Sequence, residues 1–101
     1  AEPDLVEALR APLLALAASY LIEAKRGNKA LDRVAHFHLT NGARIERLNW
    51  LGDTSPNGLK QSAGIMVNYR YKLDLIDDNH ERYRADGEII AHNAVRRLLR
   101  S

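Results

Sequence analysis

The sequence predicts a single α+β domain in which helix dominates, and three stretches carry that prediction. Leu13, Leu16, Ala17, Tyr20, Leu21 and Ala24 recur at the 3.6-residue period of one helix face. Leu59, Ser62, Met66, Tyr69 and Leu73 follow at spacings of 3, 4, 3 and 4, a second helical pattern. Between them Ala43 to Leu51 alternates as a strand does, with an apolar phase shift between Ile45 and Leu48 that fits burial on both faces or a bulge. A chain of 101 residues is one small domain, able to bury roughly two-thirds of its unfolded surface. With 46% hydrophobic and 28% charged residues it has material for a core and no low-complexity segment.

Taken in order, Pro3 with Asp4 and Glu7 suits a helix start, because proline loses nothing at the first helical position and carboxylates there meet the positive end of the dipole. Pro12 predicts a break near Arg10 and a second helix from Pro12. Lys25 and Arg26 complement the carbonyl end of that helix, and Gly27 supplies a left-handed terminator. Asn28 to Asp32 reads as a turn, with Asp32 capping a short helix from Arg33 toward His38 that Asn41-Gly42 ends. Trp50 anchors the strand that follows. Gly52 to Gly58 is loop by composition, and Ser55-Pro56 is an N-cap and first-turn pair for the helix carrying Leu59 to Leu73. Gly64 falls inside that helix at a cost of roughly 1 kcal/mol relative to alanine, which predicts close approach of another backbone or a ligand. Asp74, Asp77 and Asp78 mark an acidic exit, Asp86-Gly87 a turn and Glu88 to Ala91 a short strand. Asn93 caps a last helix with Val95, Leu98 and Leu99.

Fifteen basic and thirteen acidic residues leave a net charge of +2, without the clustered cations and interleaved aromatics of a nucleic-acid surface. Arg96, Arg97 and Arg100 form one local cluster, read as a solvated helix face ahead of a phosphate contact. The absence of cysteine excludes a disulfide scaffold and a thiolate nucleophile in this chain and fits a reducing compartment. No stretch reads as a membrane span, and Glu2 and Asp4 replace a positive leader. The end Leu99-Arg100-Ser101 lacks a peroxisomal Ser-Lys-Leu address, and a bacterial cytoplasmic location is expected.

Val34 to Pro56 holds the chemistry-bearing residues. His36 and His38 lie two apart, between Phe37 and Leu39, just before the polar break at Asn41-Gly42. A metal site completed by His80, Asp77 or His92 is one reading, and a core or surface role for the imidazoles is another. Helical residues two apart point about 200° away from each other, which opposes a shared ion. The third reading is a catalytic imidazole, whose reference pKa near 6.5 lets it hold or release a proton near neutrality.

The blocks Phe37-His38-Leu39, Asn41-Gly42-Ala43, Arg44 with Glu46-Arg47 and Asn49-Trp50, Asp53-Thr54-Ser55-Pro56, Gln61-Ser62 with Gly64, Met66-Val67-Asn68-Tyr69 with Tyr71, and Asn79-His80-Glu81 with Tyr83 occur in this order and spacing. From about Leu13 to the end, the chain resembles the C-terminal part of the malonyl-CoA decarboxylase family. Members are several times longer, so the resemblance implies the closing portion of a catalytic domain, incomplete alone, with the rest of the same enzyme as partner. It implies an acetyltransferase-like (GNAT-like) coenzyme A-binding fold, malonyl-CoA as substrate, a homo-oligomer, and neither metal nor organic cofactor. It assigns the proton donor to His38 and a tyrosine lining the active site to Tyr71. His36 falls where relatives often carry asparagine and reads as a hydrogen-bonding or surface residue, while Tyr69 reads as core packing. The family's serine and glutamate lie upstream of the matching region, and Ser55 and Ser62 read as a cap and a packing position. Two rival readings are a coenzyme A-dependent acyltransferase relative and a non-catalytic helical interaction module.

Overall fold

The computed structural model describes residues 3–51 and 64–100. Helix α1 spans Pro3–Ile22, the strands β1 (Lys25–Arg26) and β2 (Lys29–Ala30) form a small hairpin, and α2 runs Arg33–Thr40. Strands β3 (Arg44–Asn49) and β4 (Met66–Arg70) pair, followed by α3 (Ile76–Asp86), α4 (Asn93–Arg97) and a 3-10 turn at Leu98–Arg100. The fold is α+β with helix dominant, as the patterning predicts.

Pro12 does not break α1. It removes one donor, and the Ala8 carbonyl thereby left over sits on an exposed stretch where water can satisfy it. The buried face also differs from the expected stripe. Leu14, Ala18, Leu21 and Ile22 pack inward, whereas Leu16 is 66% exposed and Tyr20 also faces out. Residues 11–22 are apolar almost throughout, so periodicity did not choose the face. Contrary to the membrane reading above, Leu5–Ile22 is long and apolar enough by length and composition to cross a membrane. Its buried side chains nevertheless join the core of this chain.

Gly27 is left-handed at φ 63, as expected, but it serves the β1–β2 hairpin rather than the helix end. Asp32 caps α2 as predicted: its Oδ2 accepts from the Ala35 backbone N–H at 2.9 Å. Asn41 and Gly42 close the helix, with Gly42 at φ 89. In β3 the register slips between Ile45, opposite Tyr69, and Arg47, opposite Asn68. Glu46 is thus the bulged residue, while Ile45 and Leu48 are both buried. Arg44 and Arg70 both reach the Glu46 carboxylate, at 2.7 and 3.5 Å.

The helix expected from Leu59 to Leu73 is overturned over its described part, because Met66–Arg70 is a strand antiparallel to β3. The spacing of Met66, Tyr69 and Leu73 was coincidental. Val67 and Tyr69 turn inward while Met66 and Asn68 turn out, and Leu73 is 89% exposed. Gly64 precedes the strand at φ 79. The loop expected at Gly52 to Gly58 and the Ser55-Pro56 cap, with Leu59 and Ser62, lie outside the described residues. Helix α3 was not expected, since Ile76 and Tyr83 are the only non-polar or aromatic side chains of its largely charged sequence that turn toward the protein. Asp77 and Asp78 start it and Gly87 ends it in the left-handed conformation. Glu88 to Ala91 forms one isolated parallel bridge to Ile45 instead of a strand. The cap of α4 is His92, not Asn93.

Candidate active site

The site forms where the C-terminal half of α2 meets the end of β4. The turn at Asn41-Gly42 fixes the backbone of His38, whose carbonyl accepts from the Asn41 and Ala43 N–H groups at 3.1 and 3.0 Å. Across from it, Tyr69 and Tyr71 are two residues apart at the strand end, so both project toward the same side. His38 Nδ1 lies 2.6 Å from Tyr71 Oη. The ring of Tyr69 stacks on the imidazole with centroids 4.1 Å apart and planes 21° from parallel. Phe37 meets the same imidazole edge-on at 5.2 Å. The two residues singled out from the sequence, His38 and Tyr71, are therefore brought into direct contact across 33 positions of chain.

Tyr69, read from the sequence as core, is half-buried and does pack against the core; what that reading missed is that the same ring also stacks on His38. Burial first, then the negative charges of the Asp32 carboxylate and of an ionised Tyr71, push its hydroxyl well above the usual tyrosine range. Its ring thus stays neutral against His38 across the working pH range. The signal was available in Asn68-Tyr69-Arg70-Tyr71, which as a strand places both tyrosines on one side.

His36 points away from His38, as helical geometry requires. Its Nδ1 lies 2.7 Å from Tyr83 Oη, which also accepts the Ala30 N–H at 2.9 Å. This bears out a hydrogen-bonding role, and Tyr83, 1% exposed, is the buried partner the sequence did not identify. The other imidazoles are engaged separately. His80 Nδ1 donates to the Thr40 carbonyl at 2.5 Å, and His92 Nδ1 accepts from the Ala94 N–H at 3.0 Å. Among the described residues no group of three or more His, Cys, Asp or Glu side chains is arranged to hold a metal ion.

A protein-family model described as the malonyl-CoA decarboxylase C-terminal domain matches residues 1–101. The chain is 48% identical over 91 residues to the mitochondrial malonyl-CoA decarboxylase of Anser anser anser, covering 90% of this chain and 18% of that protein. It is 43% identical over 95 residues to the mitochondrial enzyme of Rattus norvegicus, covering 94% and 19%. The crystal structure of malonyl-CoA decarboxylase from Rhodopseudomonas palustris superposes with a TM-score of 0.93 at 51% identity, over 96% of this chain and 22% of that one. That of Cupriavidus metallidurans gives 0.85 at 45%, over 90% and 23%. The chain thus spans about a fifth of the length of the relatives it matches.

Proposed function

The chain belongs to the malonyl-CoA decarboxylase family, and from that premise we propose that it is the closing part of an enzyme converting malonyl-CoA to acetyl-CoA and carbon dioxide. The contact of His38 with Tyr71 carries the reading. Breaking the bond to the carboxylate sends its electron pair into the thioester, giving an enolate, and the enolate carbon then takes a proton. In the neutral imidazole one ring nitrogen holds the proton. When Tyr71 donates its O–H to Nδ1, the proton of His38 sits on Nε2; as it passes to that carbon the Tyr71 proton moves to Nδ1, so the imidazole stays neutral and the charge ends on the Tyr71 oxygen, which solvent reprotonates. The thioester is the electron sink, so the proposal calls for neither metal nor organic cofactor.

The serine and glutamate that the family resemblance places upstream supply the remaining polar groups in this proposal. The wider domain is proposed to be acetyltransferase-like, its whole to be a homo-oligomer in the bacterial cytoplasm. Exposed apolar side chains on α1, notably Leu5, Leu9 and Leu16, support packing against that upstream part. In the longer protein, His38→Asn is expected to lower carbon dioxide release from malonyl-CoA by about 10²- to 10⁴-fold, the usual worth of a general acid. Binding of malonyl-CoA should persist. Turnover within about threefold of wild type would overturn the assignment, and acyl transfer to an amine without carbon dioxide release would favour the acyltransferase reading.

A further inference from the structure

On the side of α2 away from His38, the β1–β2 hairpin and the first turns of α2 border an open surface cavity of about 540 Å³. Its wall holds Arg26, Lys29, Arg33 and His36, with Ala30 and Leu31 as the apolar part. We propose that this cavity binds a phosphorylated small molecule.

The sign of the charge is the first argument. Three permanent cations line one concavity and no carboxylate shares the lining. Among the described residues neither Arg26 nor Arg33 takes part in an ion pair, a state they share with Arg47, Arg96 and Arg97. The adjacent acid, Asp32, keeps its charge but turns to the Ala35 N–H and is not part of the lining. Lys29 donates to the Arg84 and Tyr83 carbonyls, at 2.7 and 3.2 Å, and to Asn28 Oδ1 at 3.1 Å, so it contributes an unneutralised charge and the arginines supply the free donors. Next to the cavity, Lys25 has its pKa lowered, by burial first and then by the charge of Lys29. Like charges gathered in this way repel, and a bound anion relieves the repulsion.

Guanidinium forks match carboxylate and phosphate alike, and the gathering of three cations favours the multiply charged phosphate. A guanidinium offers a planar fork matched to two phosphate oxygens, and two of the three cations are arginines. Tyr83 accepts the Ala30 N–H, and its own proton is available to His36 Nδ1. Neutral His36 then carries its proton on Nε2, a further donor. The volume lies in the range of roughly 300–1,000 Å³ typical of small-molecule pockets, larger than a bare ion needs, and Ala30 and Leu31 give the organic part something to pack against. Such a molecule has two sources: the nucleotide end of a coenzyme A thioester, or a separate phosphorylated compound.

The test is calorimetric titration of the longer protein with adenosine diphosphate, comparing wild type with Arg26→Gln/Arg33→Gln and with Arg97→Gln, which removes one exposed charge elsewhere. Wild type and Arg97→Gln should bind alike, and the double variant at least about ten-fold more weakly, given two lost charge-assisted contacts. No binding by wild type, or equal binding by the double variant, overturns the proposal. This arm does not rest on the decarboxylase reading. Kinetics then identify the source. A KM raised for malonyl-CoA but not for malonyl-pantetheine, which lacks the phosphates, marks the substrate's nucleotide end, and both KM values unchanged mark a separate compound. A rise shared by both substrates shows damage at His38 and counts against the proposal.

Discussion

At His38 the two tyrosines do different work, and their variants should separate. Tyr71 touches the ring through a hydrogen bond, so Tyr71→Phe frees the tautomer and is expected to lower kcat by about 2- to 12-fold, the equivalent of roughly 0.5–1.5 kcal/mol for a typical hydrogen bond. Tyr69 touches it through its face, an aromatic pair worth about 0.5–1.5 kcal/mol. Tyr69→Leu should therefore lower kcat by about 2- to 12-fold with KM little changed, while Tyr69→Phe keeps the ring and most of the rate. Equal losses in Leu and Phe variants would show that the hydroxyl, not the stacking, matters. The Tyr69 hydroxyl also makes an alkaline prediction. Its folded pKa lies above the unfolded value near 10, so the stability it contributes is whole below pH 10 and is lost as pH rises through the folded pKa. Tyr69→Phe should accordingly flatten the fall in stability above about pH 10, read from denaturant midpoints along a pH series.

Between elements, two left-handed glycines mark where α3 approaches the site's scaffold. Gly42, after α2, is so close to α3 that an added Cβ would lie 2.5 Å from the Ile76 carbonyl oxygen. The buried Asn79 side chain donates to the Gly42 carbonyl at 3.2 Å, locking the same junction. Gly87, at the other end of α3, meets the Asn28 carbonyl of the β1–β2 hairpin, where a Cβ would collide with backbone. Gly87→Ala combines left-handed strain with that collision and is expected to cost at least about 2 kcal/mol. Thermal unfolding should show it as a clearly lowered Tm, and an unchanged Tm would mean that the hairpin yields. The sequence revealed Asp86-Gly87 as a turn but not the helix before it, because Ile76, Asn79 and Tyr83 make too thin an inward stripe to stand out among charges.

Over the whole molecule, the radius of gyration of 14.2 Å exceeds the roughly 13 Å of a compact chain this long, and the extents are 45 × 26 × 25 Å. Helix α1, about 30 Å long by its residue count, contributes the length. Its buried residues Leu14, Ala18, Leu21 and Ile22 occupy one side, and Leu5, Leu9, Leu16 and Tyr20 lie exposed on the opposite side. Two apolar faces on one helix explain why it has the composition of a membrane span. The 101-residue chain by itself is expected to associate in size-exclusion chromatography, to release no carbon dioxide from malonyl-CoA, and to regain some activity when mixed with the upstream remainder. Leu5→Glu/Leu9→Glu/Leu16→Glu should reduce the association. A wild-type chain that stays monomeric at every concentration tested would show that the second face needs no partner.

What the sequence determined by itself was local chemistry: the Asp32 cap, the Asn41-Gly42 stop and the Ile45 to Leu48 phase shift, while His38 and Tyr71 were picked out by the family resemblance. Each rests on residues close in the chain or on a block of adjacent residues. What only the tertiary structure decided was pairing. Met66–Arg70 became a strand because β3 offers an unpaired edge, and backbone hydrogen bonds across 17 to 26 positions outweighed a helical spacing of side chains. The same pairing set Tyr69 both against the core and on the face of His38, and folding of the hairpin against α2 gathered Arg26, Lys29 and Arg33 around one cavity. Side-chain periodicity reports which face is apolar; it carries no information about which distant segment will cover it.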